Sequence, residues 1–320
     1  MLEVLDLKTY FFTRRGVVKA VDGVSFSVKG GETLGLVGES GCGKTVTCLS
    51  ILRLAPLPAG RIVGGKILFE GEDLLQKSEA EMRQIRGSKV SMLLQDPMTS
   101  LNPVFSIGEQ VGEAIRIHQG YKGATLWEKV TDMLKLVRIP AAQERMRDYP
   151  HQMSGGMKQR VVGAIALSCQ PSLLLADEPT TSLDVTIQAQ YLRLLKEIQQ
   201  KAGVGMIFVT HNFGIVAKMC DRVAVMYAGR IVESAAVRDL FDSPAHPYTI
   251  GLMKSLPTLE GKAEKLFSIE GQPPYLLNLP KGCSFAPRCT EVMDVCRSEY
   301  PPQGMVRDGH YVNCWLVGKK

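Results

Sequence analysis

The chain has 320 residues, 45% of them hydrophobic and 22% charged, with a formal net charge of +6. These values fit a soluble, well-packed globular chain of one large domain, or of one domain with an appendage. A charge surplus this mild, with no concentrated basic stripe, argues against a nucleic-acid binder.

Residues 3–7, 18–28 and 33–37 alternate as short strands, separated by the turn signals Arg14-Arg15-Gly16 and Lys29-Gly30-Gly31. The stretch 33–37 runs into a glycine-rich loop, and 45–54 reads as the helix that follows. Strand-like runs at 66–69 and 90–94 flank a polar helical segment at about 78–86. From residue 97 to about 152 the pattern is mostly helical, as at 107–117 and 126–137. Short apolar runs then return at 173–176 and 206–209, each followed by a helix, which is the pattern of parallel βαβ units. Beyond about Ser243 prolines crowd in and periodicity fades, so a boundary is expected there, followed by a loop-rich tail. No run reaches the roughly 18–20 apolar residues that cross a bilayer. The N-terminus lacks the pattern of a signal peptide, so a cytoplasmic chain is expected, acting on any membrane through a partner.

The chemistry begins at Gly38-Glu39-Ser40-Gly41-Cys42-Gly43-Lys44-Thr45, which fits G-x-x-x-x-G-K-[ST] without a mismatch. Its glycines let successive backbone N–H groups turn inward around phosphates, and the next helix aims its positive end at them. Lys44 then reaches the β- and γ-phosphates of ATP, and the Thr45 hydroxyl ligates Mg²⁺. Only the backbone of Cys42 is needed, although an exposed thiol there would make an ATPase sensitive to alkylation. The apolar run 173–176 ends in Asp177-Glu178, which places two carboxylates at the carboxyl edge of a sheet. Asp177 suits the Mg²⁺ side, and Glu178 suits a general base for the attacking water. Ser154-Gly155-Gly156, just before an apolar helix, forms a second anion-binding nest. Two such nests far apart in sequence suggest that two copies meet around one nucleotide.

Eight cysteines are present, and disulfides are improbable in a reducing compartment. Cys283, Cys289, Cys296 and Cys314 cluster in the tail, a stretch without an evident core to bury them. Four thiolates suit zinc, but the usual C-x₂₋₄-C pairs are absent. Wider loops suit an iron–sulfur cluster, with Arg288 offsetting part of the negative charge. Spacing alone leaves both metals open.

The ordered set Gly38 to Thr45 (Walker A), Gln95 (Q-loop), Ser154 to Gln159 (signature), 173–178 (Walker B), Ser182-Leu183-Asp184 (D-loop) and His211 (switch histidine) resembles the nucleotide-binding subunit of an ABC transporter. The likeness covers about residues 1–245. The stretches Gln95-Asp96-Pro97-Met98-Thr99-Ser100-Leu101-Asn102-Pro103, Tyr149-Pro150-His151-Gln152, 180–186 and His246-Pro247-Tyr248-Thr249 are similar to its dipeptide/oligopeptide importer branch. Met153 and Thr45 depart slightly from the commonest residues without disturbing the chemistry.

The resemblance implies an α/β P-loop NTPase fold: a RecA-like core, an antiparallel β subdomain, a helical subdomain at about 97–152 that grips a permease, and a small loop-rich cysteine module at 246–320. It implies an ATPase energising peptide import on the cytoplasmic face of the membrane. Expected partners are a second, identical or homologous ATPase subunit, two permease subunits and, indirectly, an extracytoplasmic peptide-binding protein; nucleic acid is not expected. Ser154, Gly155 and Gly156 would contact the γ-phosphate of ATP held by the opposite subunit, with Asp184 beside it. Gln95 would sense Mg²⁺ and the attacking water, and His211 would hold the γ-phosphate and Glu178 together. Phe11, with Tyr10 next in line, would stack on adenine. The branch's similar four-cysteine tail, associated with a [4Fe–4S] cluster, implies that cluster at Cys283, Cys289, Cys296 and Cys314, with zinc as the alternative. Soluble ABC ATPases acting on DNA or RNA usually carry long insertions or two cassettes, and this chain has neither.

Overall fold

Strand patterning and turn residues resolve, in the computed structural model, into twelve strands among the described residues, 1–256 and 267–317. They are β1 (Leu2–Thr13), β2 (Gly16–Val28), β3 (Thr33–Val37), β4 (Gly60–Phe69), β5 (Glu72–Asp73), β6 (Val90–Leu93), β7 (Leu173–Asp177), β8 (Gly205–Thr210), β9 (Arg222–Tyr227), β10 (Arg230–Ala236), β11 (Gly304–Arg307) and β12 (His310–Val312). The expected tail at 246–320 thus extends over 257–266 and 318–320, which lie outside the described residues. The chain divides into two compact units, the first comprising Met1–Ser27, Thr33–Leu75 and Thr210–Lys320, the second Val28–Glu32 and Gln76–Val209.

In the first unit one sheet runs β2-β1-β4-β5. Strand β1 runs beyond the expected 3–7, and its alternation is interrupted on the way. The register against β4 shifts between Leu5 and Lys8, and Asp6 takes φ 46°. The extra residue lets Leu2, Val4, Leu7 and Thr9 all point inward. The strand therefore continues through Tyr10, Phe11 and Phe12. A second sheet of this unit runs β11-β12-β10-β9-β3. Strand β3 is buried along its whole length, as an apolar strand paired in parallel (Leu34 to Val37 against Arg222 to Val225) should be.

The tail is better ordered than its composition suggests. β11 and β12 form an antiparallel hairpin, and β12 pairs with β10 through Glu233↔Val312 and Ser234↔Tyr311. These strands are four and three residues long, too short for periodicity to register. The expectation that this stretch lacks a core is also corrected. Tyr227, Tyr248 and Phe285 pack ring against ring with centroids 4.6–5.4 Å apart, and Tyr248 is fully buried. Aromatic rings bury much area per residue, so three of them substitute for a longer apolar run.

In the second unit β8-β7-β6 form a parallel set, with Val90 to Leu93 against Leu173 to Ala176. The helices Ile107–Gln119, Gly123–Leu136 and Gly155–Leu167 pack together, with Val111, Ile115, Val130, Leu134 and Val161 buried. Ser106 and Glu109 close a reciprocal capping box on the first of these, which fixes where it starts.

Candidate nucleotide site

In the first unit β3 delivers the chain into residues 38–43, and the helix Lys44–Ile51 follows directly. Gly38 and Gly43 hold φ 152° and 108°, and a Cβ at either would sit 2.2 Å from a backbone oxygen, that of Met226 or Ala20. Only glycine fits these two corners. Lys44 is buried, and its Nζ donates to the carbonyls of Gly38 (2.8 Å) and Glu39 (3.0 Å), which fixes the ammonium at the loop. Ser40, Gly41 and Thr45 are exposed. A curled backbone, a fixed ammonium and a helix N-terminus make a polyanion cradle. Cys42 is 5% exposed, and burial raises its thiol pKa. The condition for alkylation sensitivity, an exposed thiol, is therefore not met: the thiol is enclosed.

The three aromatic residues of β1 separate by face. Thr9, whose hydroxyl is 2.7 Å from that of Ser50 on the loop's own helix, shares its side of the strand with Phe11. Tyr10 points the other way, and its hydroxyl donates to Asp22 at 2.6 Å. Phe12 is exposed beside Arg61. His211 also belongs to this unit, exposed between the end of β8 and the helix Phe213–Met219 that Asn212 caps.

Two residues of the tail reach the loop and were missed as contributors to it. Arg288 donates through Nη1 and Nη2 to the two carboxylate oxygens of Glu39, at 2.7 and 3.0 Å, and its side chain is only 4% exposed. Bonding to Glu39 raises its pKa further. The guanidinium's forked bond is thus made to Glu39. Tyr248 Oη accepts from the Glu39 N–H at 2.9 Å. The motif His246-Pro247-Tyr248-Thr249 was legible in the sequence, but nothing local signals where its tyrosine points.

In the second unit β7 ends at Asp177, 2% exposed, and the next residue, Glu178, turns with φ 44°. Because Leu93 of β6 pairs with Ala176, Gln95 emerges beside Glu178. Gln95 Nε2 donates to Glu178 Oε2 at 3.3 Å, and Thr181 Oγ1 donates to the same oxygen at 3.1 Å. A non-glycine residue held at positive φ and aimed by two donors is a preorganised carboxylate. Ser154 caps the helix Gly155–Leu167, accepting from Met157 N, with Ser154 and Gly155 both exposed. Asp184 caps the helix Val185–Ala202, accepting from Thr186 N and Ile187 N.

Back in the first unit, Cys283, Cys289, Cys296 and Cys314 line one small cavity, together with His246 and Phe285. All four are free thiols. Burial raises the pKa of Cys283, Cys289 and Cys314, the last to about 11, and neighbouring sulfurs push in the same direction. Among the described residues no group of three or more His, Cys, Asp or Glu converges closely enough to hold a metal ion. The four sulfurs expected to hold a cluster or zinc thus line a common cavity without closing to ligating distance.

Residues 21–181 match the family described as ABC transporter, and residues 232–296 match the oligopeptide/dipeptide transporter, C-terminal region. The dipeptide transport ATP-binding protein DppD of Bacillus subtilis is 51% identical over 100% of this chain and 96% of its own. The probable peptide ABC transporter ATP-binding protein y4tR of Sinorhizobium fredii is 51% identical over 98% of this chain and 94% of its own. Among solved structures, the ATP-binding cassette MJ0796, a dimer bound to ADP and Pi, superposes with a TM-score of 0.66 at 24% identity, covering 74% of this chain and 99% of that one, which establishes the cassette fold. CbiO1 from Clostridium perfringens, part of an ABC transporter complex, gives 0.63 at 26% identity, covering 76% and 90%. The chain belongs to the ATP-binding, ATP-hydrolysing subunits of ABC transporters, in the branch that carries the oligopeptide/dipeptide transporter C-terminal region.

Proposed function

We propose that this ATPase energises the import of dipeptides or oligopeptides from the cytoplasmic face of a membrane. Full-length similarity to a dipeptide transport ATP-binding protein, at 51% identity, carries this reading. Among the described residues no helix is long and apolar enough to cross a membrane. The pore belongs to two permease subunits, gripped by the helical subdomain at about 97–152 of a cassette spanning 1–245, and an extracytoplasmic peptide-binding protein delivers the solute.

The residues divide the work as follows. Lys44 and the backbone of Gly38 to Thr45 hold the phosphates of ATP, and Phe11 stacks on adenine. Glu178 takes a proton from the attacking water, Gln95 keeps that carboxylate aimed, and His211 holds the γ-phosphate end in line. The oxygen donors of Thr45, Asp177 and Gln95 suit Mg²⁺, which supplies charge neutralisation to the phosphates. Ser154, Gly155, Gly156 and Asp184 face the nucleotide of a second ATPase subunit. The four cysteines of the tail at 246–320 hold a [4Fe–4S] cluster, with zinc as the alternative. A donor set of four sulfurs around one cavity supports a thiolate-bound group, which would act as a staple for the tail.

Affinity purification of the tagged chain from detergent-solubilised membranes tests the assembly. Recovery of two multi-span proteins and a second ATPase is expected, and ATP-dependent peptide uptake should require the chain. Recovery of nucleic acid without membrane proteins would overturn the reading. Iron and acid-labile sulfide in anaerobically purified protein are expected for the cluster, and a colourless zinc protein would replace it.

A further inference from the structure

Glu39, the second residue of the phosphate loop, is held at three points. Its carbonyl accepts from Lys44 Nζ at 3.0 Å, its N–H donates to Tyr248 Oη at 2.9 Å, and its carboxylate takes the forked bond from Arg288. The first tie is internal to the loop. The other two come from chain far beyond it, 209 and 249 positions away.

Both outer partners are themselves fixed. The Arg288 guanidinium also donates to Tyr227 Oη (3.3 Å) and to the carbonyls of Glu270 (3.1 Å) and Ile269 (3.4 Å). A planar fork that satisfied cannot swing away without losing several charge-assisted bonds together. Tyr248 is fully buried against Tyr227 and Phe285, and its own N–H donates to His246 Nδ1 at 3.0 Å. His246 is anchored in turn, because its N–H donates to the buried Glu233 of β10 at 2.9 Å.

We infer that the C-terminal region clasps the phosphate loop, with Arg288 and Tyr248 as positioning residues that set the geometry of Glu39, and through it of Lys44, for nucleotide binding. Neither residue touches the phosphates in this scheme. They restrict the loop to its curled form before ATP arrives, so that binding does not have to order it. The plainer alternative is that the same bonds only hold the tail down. In that case their loss would lower stability and leave the nucleotide site unchanged.

The test uses the full chain with Arg288→Ala, Arg288→Lys, Tyr248→Phe, Glu39→Gln and the double Glu39→Gln/Arg288→Ala. Arg307→Ala, which breaks an exposed pair with Asp239 elsewhere in the tail, is the control. MgATP affinity by calorimetry and amide hydrogen exchange of residues 38–45 in nucleotide-free protein are the readouts. Arg288→Ala is expected to weaken MgATP binding about tenfold, or ~1.4 kcal/mol, and to speed exchange across the loop. KM should rise while kcat at saturating ATP stays near the parent value. Arg288→Lys should recover part of the loss, and the double variant should bind no worse than the weaker single one. Should Arg288→Ala fail to fold, Tyr248→Phe, which deletes a single oxygen, carries the same expectation in milder form. Affinity and exchange that match the Arg307→Ala control, with only the melting temperature lowered, would overturn the clasp. So would strictly additive effects of Glu39→Gln and Arg288→Ala.

Discussion

Gln95 Nε2 lies 3.3 Å from Glu178 Oε2, a contact set by the parallel register of β6 and β7 and not by sequence proximity. The amide donates to one oxygen of the carboxylate, so in the proposed mechanism the glutamine aims the base without itself accepting a proton. Gln95→Ala is expected to lower ATP turnover about tenfold, the smaller part of what a positioned base contributes, while MgATP affinity changes little. Steady-state hydrolysis together with equilibrium binding checks this. A large loss of affinity with unchanged kcat would assign Gln95 to binding instead.

The corner at Gly43 admits no side chain, because a Cβ there would meet the Ala20 carbonyl at 2.2 Å. Gly43→Ala is expected to cost about 1–3 kcal/mol of strain and to abolish measurable ATP binding. Thermal melting with and without MgATP reads both effects, and the usual nucleotide-induced rise in melting temperature should be lost.

Cys42, although it sits within the loop, is enclosed, and burial raises its thiol pKa. Nucleophilic thiols react as thiolates, so alkylation at neutral pH should inactivate the parent and Cys42→Ser at the same rate. Rates differing severalfold would show that the loop opens to reagent.

Asp22 is 6% exposed, bonded to Tyr10 at 2.6 Å and to Arg230 at 2.7 Å. Burial alone would raise its pKa, but the hydrogen bonds from Tyr10 and Arg230 outweigh that, and the net shift is downward. A carboxylate depressed in the fold stabilises above its unfolded pKa, near 4, and that contribution fades as pH falls below it. Asp22→Asn should therefore cost about 2 kcal/mol near neutrality and less at acid pH. Urea unfolding at pH 7 and at about pH 3.5 tests the narrowing of that gap.

What was legible in the sequence is local. The octet at 38–45, the Asp177-Glu178 pair and the Ser154-Gly155-Gly156 nest each rest on a backbone shape written in consecutive residues, so their placement on strand, loop and helix followed. Strand β1 was shortened because the alternation breaks at Asp6, a bulge that only the partner strand explains. The β11–β12 hairpin was lost among prolines because its strands are too short to show a period. Arg288 stands among the tail cysteines in sequence, whereas its forked bond goes to Glu39, 249 positions away, a pairing no local pattern encodes.

The most direct measurement is ATP turnover by Glu178→Gln, with bound nucleotide followed in the same sample. Glu178 stands at the end of β7 with φ 44°, its carboxylate aimed by Gln95 and Thr181. Glutamine preserves shape and hydrogen bonding but cannot take a proton from water. MgATP should remain bound with near-parent affinity while turnover falls by roughly 10²–10⁴. Parent-like turnover in that variant would contradict the assignment of Glu178 as the base.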